Sequence, residues 1–347
     1  MGRFVQLHLL TFYPPANLNR DDTGRPKTAI IGGVERLRIS SQSLKRAVRT
    51  SDVFKAKLDG HLAKRTQRLG ADILKHLVDK GIEEKKALAT ARKIAEVFGK
   101  LEDEKADNPS YIRQLAFISP EERKAAFALA DQALAGSPID PQPDAILAKV
   151  DTAADIAMFG RMLADNADFN REAAVQVAHA YTTHRVTVED DFYTAVDDLK
   201  TKAEDAGAGF VGELGFGSGL FYLYVCIDTH LLVANLNGND GIAKSAIAAL
   251  MEALATVSPG GKQASFASRA RAEYLLVEVG SQQPRTLGSA FAKPVAGADL
   301  VAASIAKLEA FQQDMDKAYG ACADDRYIMK VGGEGTLTEA IAVATKW

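Results

Sequence analysis

The hydrophobic period changes twice along this chain, and that change limits the folds open to it. Phe4 to Phe12 alternates, with Val5, Leu7 and Leu9 on one face and Gln6 and His8 on the other. This predicts a half-buried strand, ended by Pro14 and Pro15. Val34 to Ser40 alternates again, Leu37 and Ile39 pointing one way and Arg36, Arg38 and Ser40 the other. A helix is expected from about Ser41 as N-cap, with Leu44, Ala47 and Val48 facing a core and Lys45 and Arg49 sharing an exposed face. Between about residues 58 and 150 the period becomes helical. Ile73, Leu74, Leu77 and Val78 form one apolar stripe, and Leu88, Ala91, Ile94, Ala95 and Phe98 another. Ser119-Pro120-Glu121-Glu122 reads as a helix start, with Ser at N-cap, Pro at N1 and Glu at N3; the helix stops near Gly136-Ser137-Pro138. Strand patterns return at Leu220 to Ile227 and Tyr274 to Val279, with a helix carrying Ile242, Ala246, Leu250, Met251 and Leu254 between them. A late helix covers about Leu300 to Tyr319. The order predicts an α+β fold, a ferredoxin-like or RRM-type sheet interrupted by a helical insertion.

Charge is distributed as unevenly as period. The 347 residues carry a net charge of −3, yet Arg20 to Arg49 holds eight basic residues against three acids, a local +5. Val186 to Ala206 holds seven acids against two lysines, a local −5. A polyanion-binding surface is therefore local if it exists, and a solvated charged face is the competing account. No acid occurs from Arg36 to Arg49. There a strand bearing Arg36 and Arg38 leads into a helix whose first residues are Ser40, Ser41, Gln42 and Ser43. The unpaired N–H groups and positive dipole end of such a terminus suit a phosphate, with Lys45 and Arg49 flanking it.

Other chemistry is not supported. Cys226 and Cys322 form no CxxC, which fits a reducing compartment, and no metal or other cofactor is implied. Absence of a leader pattern and of a bilayer-length apolar run predicts a cytoplasmic protein with no membrane partner. Gly215-Phe216-Gly217-Ser218-Gly219 precedes a strand rather than a helix, so it is read as a hinge and not a phosphate cradle. His179 and His184 are five apart, off the spacing of a helical metal pair, and are read as structural.

Two runs, Leu18-Asn19-Arg20-Asp21-Asp22 and Arg38-Ile39-Ser40-Ser41-Gln42-Ser43-Leu44-Lys45-Arg46-Ala47, resemble the signature of the CasC family. That family is the CRISPR RNA-binding backbone subunit of Cascade, the type I-E CRISPR surveillance complex. Gly160-Arg161-Met162, Ala178-His179-Ala180, Thr182-Thr183-His184, Phe192 through Leu199, Pro259 through Gln263 and Ala290-Phe291 with Lys293 extend the resemblance, which is weak between about 58 and 150.

The resemblance implies a modified RRM palm (residues 1–57, 151–185 and 217–347, with C-terminal helices), a helical fingers insert (58–150) and a thumb hairpin (186–216). It also implies a non-catalytic subunit of an antiviral ribonucleoprotein. Copies would stack head to tail along CRISPR RNA beside other Cascade subunits, and the guide would pair with target DNA. Arg20, Lys27, Arg38, Ser40, Ser41, Gln42, Ser43, Lys45, Arg46 and Arg49 would meet the RNA backbone. Arg161, Lys262, Gln263 and Lys293 would add to the groove. Met162 and Phe192, ordinary packing residues if taken alone, would wedge a nucleotide out of the stack. The acids of the thumb are expected to face outward or to meet a basic patch on the next copy. The competing function is a type III-like endonuclease that uses Asp190 or Asp191 with a divalent metal to cleave target RNA.

Overall fold

The computed structural model describes residues 3–137, 139–195 and 210–347. In chain order its strands are β1 (Phe4–Ala16), β2 (Thr28–Ile31), β3 (Val34–Ile39), β4 (Lys64–Thr66), β5 (Ala116–Ile118), β6 (Val175–Val177), β7 (Ala180–Thr182), β8 (Glu189–Ala195), β9 (Phe210–Asp228), β10 (Tyr274–Gly280) and β11 (Asp325–Lys330). The chain divides into two compact units. One comprises Met1–Phe54, Val177–Cys226 and Ile247–Trp347, the other Lys55–Gln176 and Ile227–Ala246. The helical unit is thus wider than the 58–150 insert read from the sequence.

The first unit is built on a sheet in the order β11-β10-β1-β9-β7-β3-β2. Four of these strands, β1, β7, β9 and β10, together with the helices Ser41–Thr50 and Asp240–Thr256, follow the β-α-β-β-α-β order of a ferredoxin-like unit. β1 pairs antiparallel with β10 from Phe4↔Gly280 to Leu10↔Tyr274. Beyond β7, the hairpin of β2 and β3 extends the sheet, with Thr28 opposite Leu37 and Arg38 opposite Tyr181. The expected thumb hairpin is formed by β8 and the start of β9, from Glu189↔Phe216 to Ala195↔Phe210. Its acids Asp197, Asp198, Glu204 and Asp205 lie outside the described residues.

Three expectations need correction. β1 does not stop at the prolines but runs through Pro14 and Pro15 to Ala16. Pairing with β10 ends at Leu10, before the prolines, so neither removes a bond from that ladder. Second, Gln6 and His8 are buried, not solvated. Leu44, Val48 and Leu254 converge with Tyr13, Ile39, Phe221 and Leu223 on one face of the sheet. On the opposite face, Leu10, Tyr222, Tyr274 and Leu276 pack with Phe291, Ile305 and Leu308. Both faces are therefore covered. Third, the Gly215–Gly219 run is no hinge but lies within the 19-residue β9. Its glycines allow close approach: a Cβ on Gly217 would stand 2.8 Å from Leu37 Cδ1, and one on Gly215 3.1 Å from Pro26 Cδ.

Polar residues of the second face converge on Glu278. His8 Nδ1 is 2.9 Å from the Tyr222 hydroxyl and Nε2 is 3.2 Å from Glu278. Arg285 and Arg326 also donate to Glu278, Arg326 Nε at 2.8 Å. Burial alone would raise the Glu278 carboxyl, but His8 and Arg285 outweigh it and hold it well below the usual carboxylate range. Burial lowers His8 and keeps its imidazole neutral.

Both shifts have the same sign for stability, because the unfolded chain binds protons more readily at these groups. Stability is expected to fall as pH drops below about 6.5, where unfolded His8 takes up a proton, and again below about 4.3, where the unfolded chain protonates at Glu278 while the folded one does not. Each group contributes a slope of up to ~1.4 kcal/mol per pH unit. Urea midpoints measured from pH 7 to 5 should show the first slope, and His8→Gln should flatten it.

In the helical unit, Leu69, Ile73, Leu77, Ala87, Ala91, Ile94 and Ala126 form a core from the helices Leu69–Asp79, Glu84–Glu96 and Pro120–Leu134. Val78, placed on the apolar stripe by sequence, is exposed. The predicted capping box is present: Ser119 Oγ accepts from Glu122 N at 3.2 Å, and Glu122 accepts from Ser119 N at 3.0 Å. Cys226 and Cys322 are buried and form no disulfide. No helix among the described residues is long and apolar enough to cross a membrane.

Candidate nucleic-acid interface

The cationic margin begins with a loop held in place by asparagines. Asn17 Nδ2 donates to the carbonyls of Gly24 and Gly215, each at 2.9 Å, fastening the Asn17–Lys27 loop to β9. Asn19 Oδ1 accepts from Ser40 N at 2.8 Å, and Asn19 O accepts from Lys27 N at 2.8 Å. Arg38 N donates to Lys27 O at 2.8 Å, so the pairing of β2 with β3 continues outward by one residue and sets Lys27 beside Arg38. Arg38 Nη1 reaches His179 Nδ1 at 2.7 Å.

Ser40, one residue earlier than expected, is the N-cap of the helix Ser41–Thr50; its Oγ accepts from Ser43 N at 3.3 Å. Ser40 follows directly on β3, which ends at Ile39, and is still extended at ψ 147°, so the chain passes from strand to helix through the cap alone. Leu44 and Val48 are buried, which turns Gln42 and Arg46 to solvent and leaves Ser41, Ser43, Lys45 and Arg49 half-buried. Burial lowers the Lys45 amine. Arg20 is exposed and closes its loop through a bridge to Pro26.

Two further segments join this margin. The turn bearing Lys262 and Gln263 packs directly on the backbone of the loop: a Cβ on Gly261 would stand 2.4 Å from Leu18 O and 2.6 Å from Asn17 O. Lys262 is exposed, with φ 49°. Gln263 is engaged in its own turn, donating to Pro259 O at 3.0 Å, so it shapes the segment and does not reach outward. Lys293 is exposed and follows Ala292, whose carbonyl fits against Gly32 at the turn between β2 and β3, where a Cβ would lie only 1.7 Å away.

Two arginines leave the anion-binding set. Arg36 is fully buried and donates to Thr182 O at 2.7 Å and Phe291 O at 3.1 Å. Arg161, expected to meet RNA, is buried in the helical unit. It donates to both Glu122 carboxylate oxygens, at 2.7 and 2.6 Å, and to the carbonyls of Phe117, Ala148 and Phe169. Its neighbour Met162 is 82% exposed, as alternation along extended chain requires when Arg161 turns inward. Phe192 in β8 is 70% exposed. Neither residue packs in a core, which removes the ordinary account of both.

At the thumb's base the acids meet a cation of the same chain: Arg25 Nη1 is 2.7 Å from Asp190 and 3.8 Å from Glu213. Asp190 is thus engaged by a guanidinium, while Asp191 is exposed. Among the described residues no three His, Cys, Asp or Glu side chains converge as metal ligands would. Sequence reasoning passed over the asparagine braces at Asn17 and Asn19 and the Arg38–His179 contact. Asn19 left a trace as part of the Leu18–Asp22 motif, and Arg38 and His179 were each in a run that carries the resemblance without their contact being legible.

An RRM normally reads RNA by stacking bases on sheet aromatics. Here Tyr222 and Tyr274 are 1% and 0% exposed, beneath a layer that includes Ile305 and Leu308 of the helix Leu300–Tyr319. Base stacking on those two rings is therefore closed off.

The family described as CT1975-like protein matches residues 5–345. A chain of a solved structure described as "CRISPR RNA-guided surveillance complex, pre-nicking" is 30% identical and superimposes with a TM-score of 0.87, over 99% of each chain. Another, described as "CRISPR RNA-guided surveillance complex", is 27% identical with a TM-score of 0.75, again over 99% of each. No curated protein matches the chain.

Proposed function

The chain belongs to the CT1975-like protein family, and from that premise we propose that it is the non-catalytic CRISPR RNA-binding backbone subunit of a Cascade-type surveillance complex, of the CasC kind in type I-E systems. Copies stack head to tail along the guide and hold it by its phosphates. Met162 and Phe192 act as apolar wedges that displace a nucleotide at intervals, and the bases left accessible pair with target DNA. The reading is supported by solved surveillance-complex chains that match over 99% of this one.

The observation that carries it is the continuity of Lys27, Arg38, the Ser40-capped helix and its Lys45 and Arg49, together with the absence of acids from Arg36 to Arg49. Phosphate contacts position a strand without reading its bases. Anisotropy titrations with single-stranded RNAs of unrelated sequence should therefore give affinities within about threefold of one another. A strong preference for one sequence would contradict backbone-only contact, and absence of RNA from protein purified at low salt would favour a protein-only scaffold.

A further inference from the structure

The two histidines of the segment around β7 are in opposite states. His184 has both ring nitrogens engaged: Nδ1 donates to Arg185 O at 2.9 Å, and Nε2 accepts from Leu220 N at 3.1 Å. It is a structural residue, as its sequence context indicated. His179 is exposed, and its Nδ1 meets Arg38 Nη1 at 2.7 Å. A guanidinium has only donors to offer, so His179 Nδ1 must accept. In the neutral imidazole the remaining proton then sits on Nε2, the nitrogen on the far side of the ring from Arg38. Nothing among the described residues hydrogen-bonds Nε2.

Three donor side chains therefore gather where β3 meets the segment before β2: Lys27, whose backbone pairs with Arg38 and whose charge is felt at His179, the rest of the Arg38 fork, and His179 Nε2–H. We propose that His179 is a further RNA-contacting residue, its Nε2–H donating to a non-bridging phosphate oxygen of the strand that Lys27 and Arg38 hold. Arg38 has a second role here, since its contact with Nδ1 selects the tautomer and aims the ring. Burial, then the positive charges of Arg38 and Lys27, keep the imidazole pKa below its ordinary value, so the neutral donor form prevails at neutral pH. The inference rests on the RNA-binding reading above and adds to it a residue chosen by hydrogen-bond geometry rather than by formal charge.

Substitution can separate the two nitrogens. Asparagine places an amide oxygen near Nδ1, where it can still accept from Arg38. Glutamine reaches the position of Nε2 and supplies an N–H there. Full-length His179→Gln, His179→Asn and His179→Ala would be titrated with a fluorescein-labelled single-stranded RNA, after thermal unfolding shows each to be folded. We expect His179→Gln to bind within about threefold of the parent, and His179→Asn and His179→Ala to bind about tenfold more weakly. Recovery by Asn but not Gln would overturn the proposal and make His179 only a positioning residue for Arg38. Equal loss in all three, or no loss in any, would overturn it as well. Lys45→Glu run in parallel tests the broader reading: unchanged binding in that variant means the RNA site itself is misplaced, whatever His179 does.

Discussion

Replacing Lys27, Arg38, Lys45 and Arg49 together by alanine is expected to weaken binding of single-stranded RNA about a thousandfold at 0.1 M salt and to lower the slope of log affinity against log salt by about 3. Each phosphate contact on a single strand contributes roughly 0.7 to that slope through counterion release, so four lost contacts account for it. The difference between parent and variant should shrink toward nothing near 1 M salt, because the lost term is electrostatic. Arg25→Ala should change the slope far less, since its guanidinium already faces Asp190 at 2.7 Å. A fourfold variant whose slope matched the parent's would mean that these side chains do not lie along one strand.

A second large effect is expected in the helical unit and has nothing to do with RNA. Glu122→Ala should destabilise that unit by about 3–5 kcal/mol, because it leaves the Arg161 guanidinium buried without its counter-charge. Both side chains are almost wholly inaccessible, at 1% and 0%. The change also removes the carboxylate that accepts from Ser119 N and Ala148 N, so the reciprocal half of the capping box and the tie to the segment around Ala148 are lost together. Arg161→Met combined with Glu122→Leu should recover much of the loss, since apolar residues of similar volume carry no desolvation penalty. Urea unfolding followed by circular dichroism reads both. In the double variant the salt slope of RNA binding should equal the parent's. A reduced slope there would return Arg161 to the phosphate-binding set.

The two predictions divide arginines that look alike in sequence. Arg36 and Arg38 sit two apart on the same face of β3, and alternation treats them identically. Arg36 is covered by the Phe291 segment and donates to two carbonyls, while Arg38 stops at an exposed histidine. Arg161 sits in a run that resembles an RNA-binding motif, yet its partner Glu122 lies 39 residues earlier. Neither partner is visible in local pattern, because burial of a charge depends on what packs over it. The same holds for His8, whose alternation reads as solvent-facing until a second layer closes that side of the sheet. Local features were more legible. The Ser119 capping box, the helix Leu300–Tyr319, the strands around Leu37 and Tyr274 and the serine-capped start of the cationic helix all follow from short-range sterics and hydrogen bonding.

What the residues settled by themselves, then, is the α+β class, the longer strands and helices with their caps, and the gathering of positive charge near Arg20 to Arg49, because period, capping and composition act over a few neighbours. What required the folded chain is which of those cations meet solvent. Tertiary packing buried Arg36 and Arg161, set Lys27 beside Arg38 and His179, and covered Tyr222 and Tyr274. A side chain's charge is written in the sequence; whether water or a carbonyl surrounds it is decided by contacts from 39 to 255 residues apart.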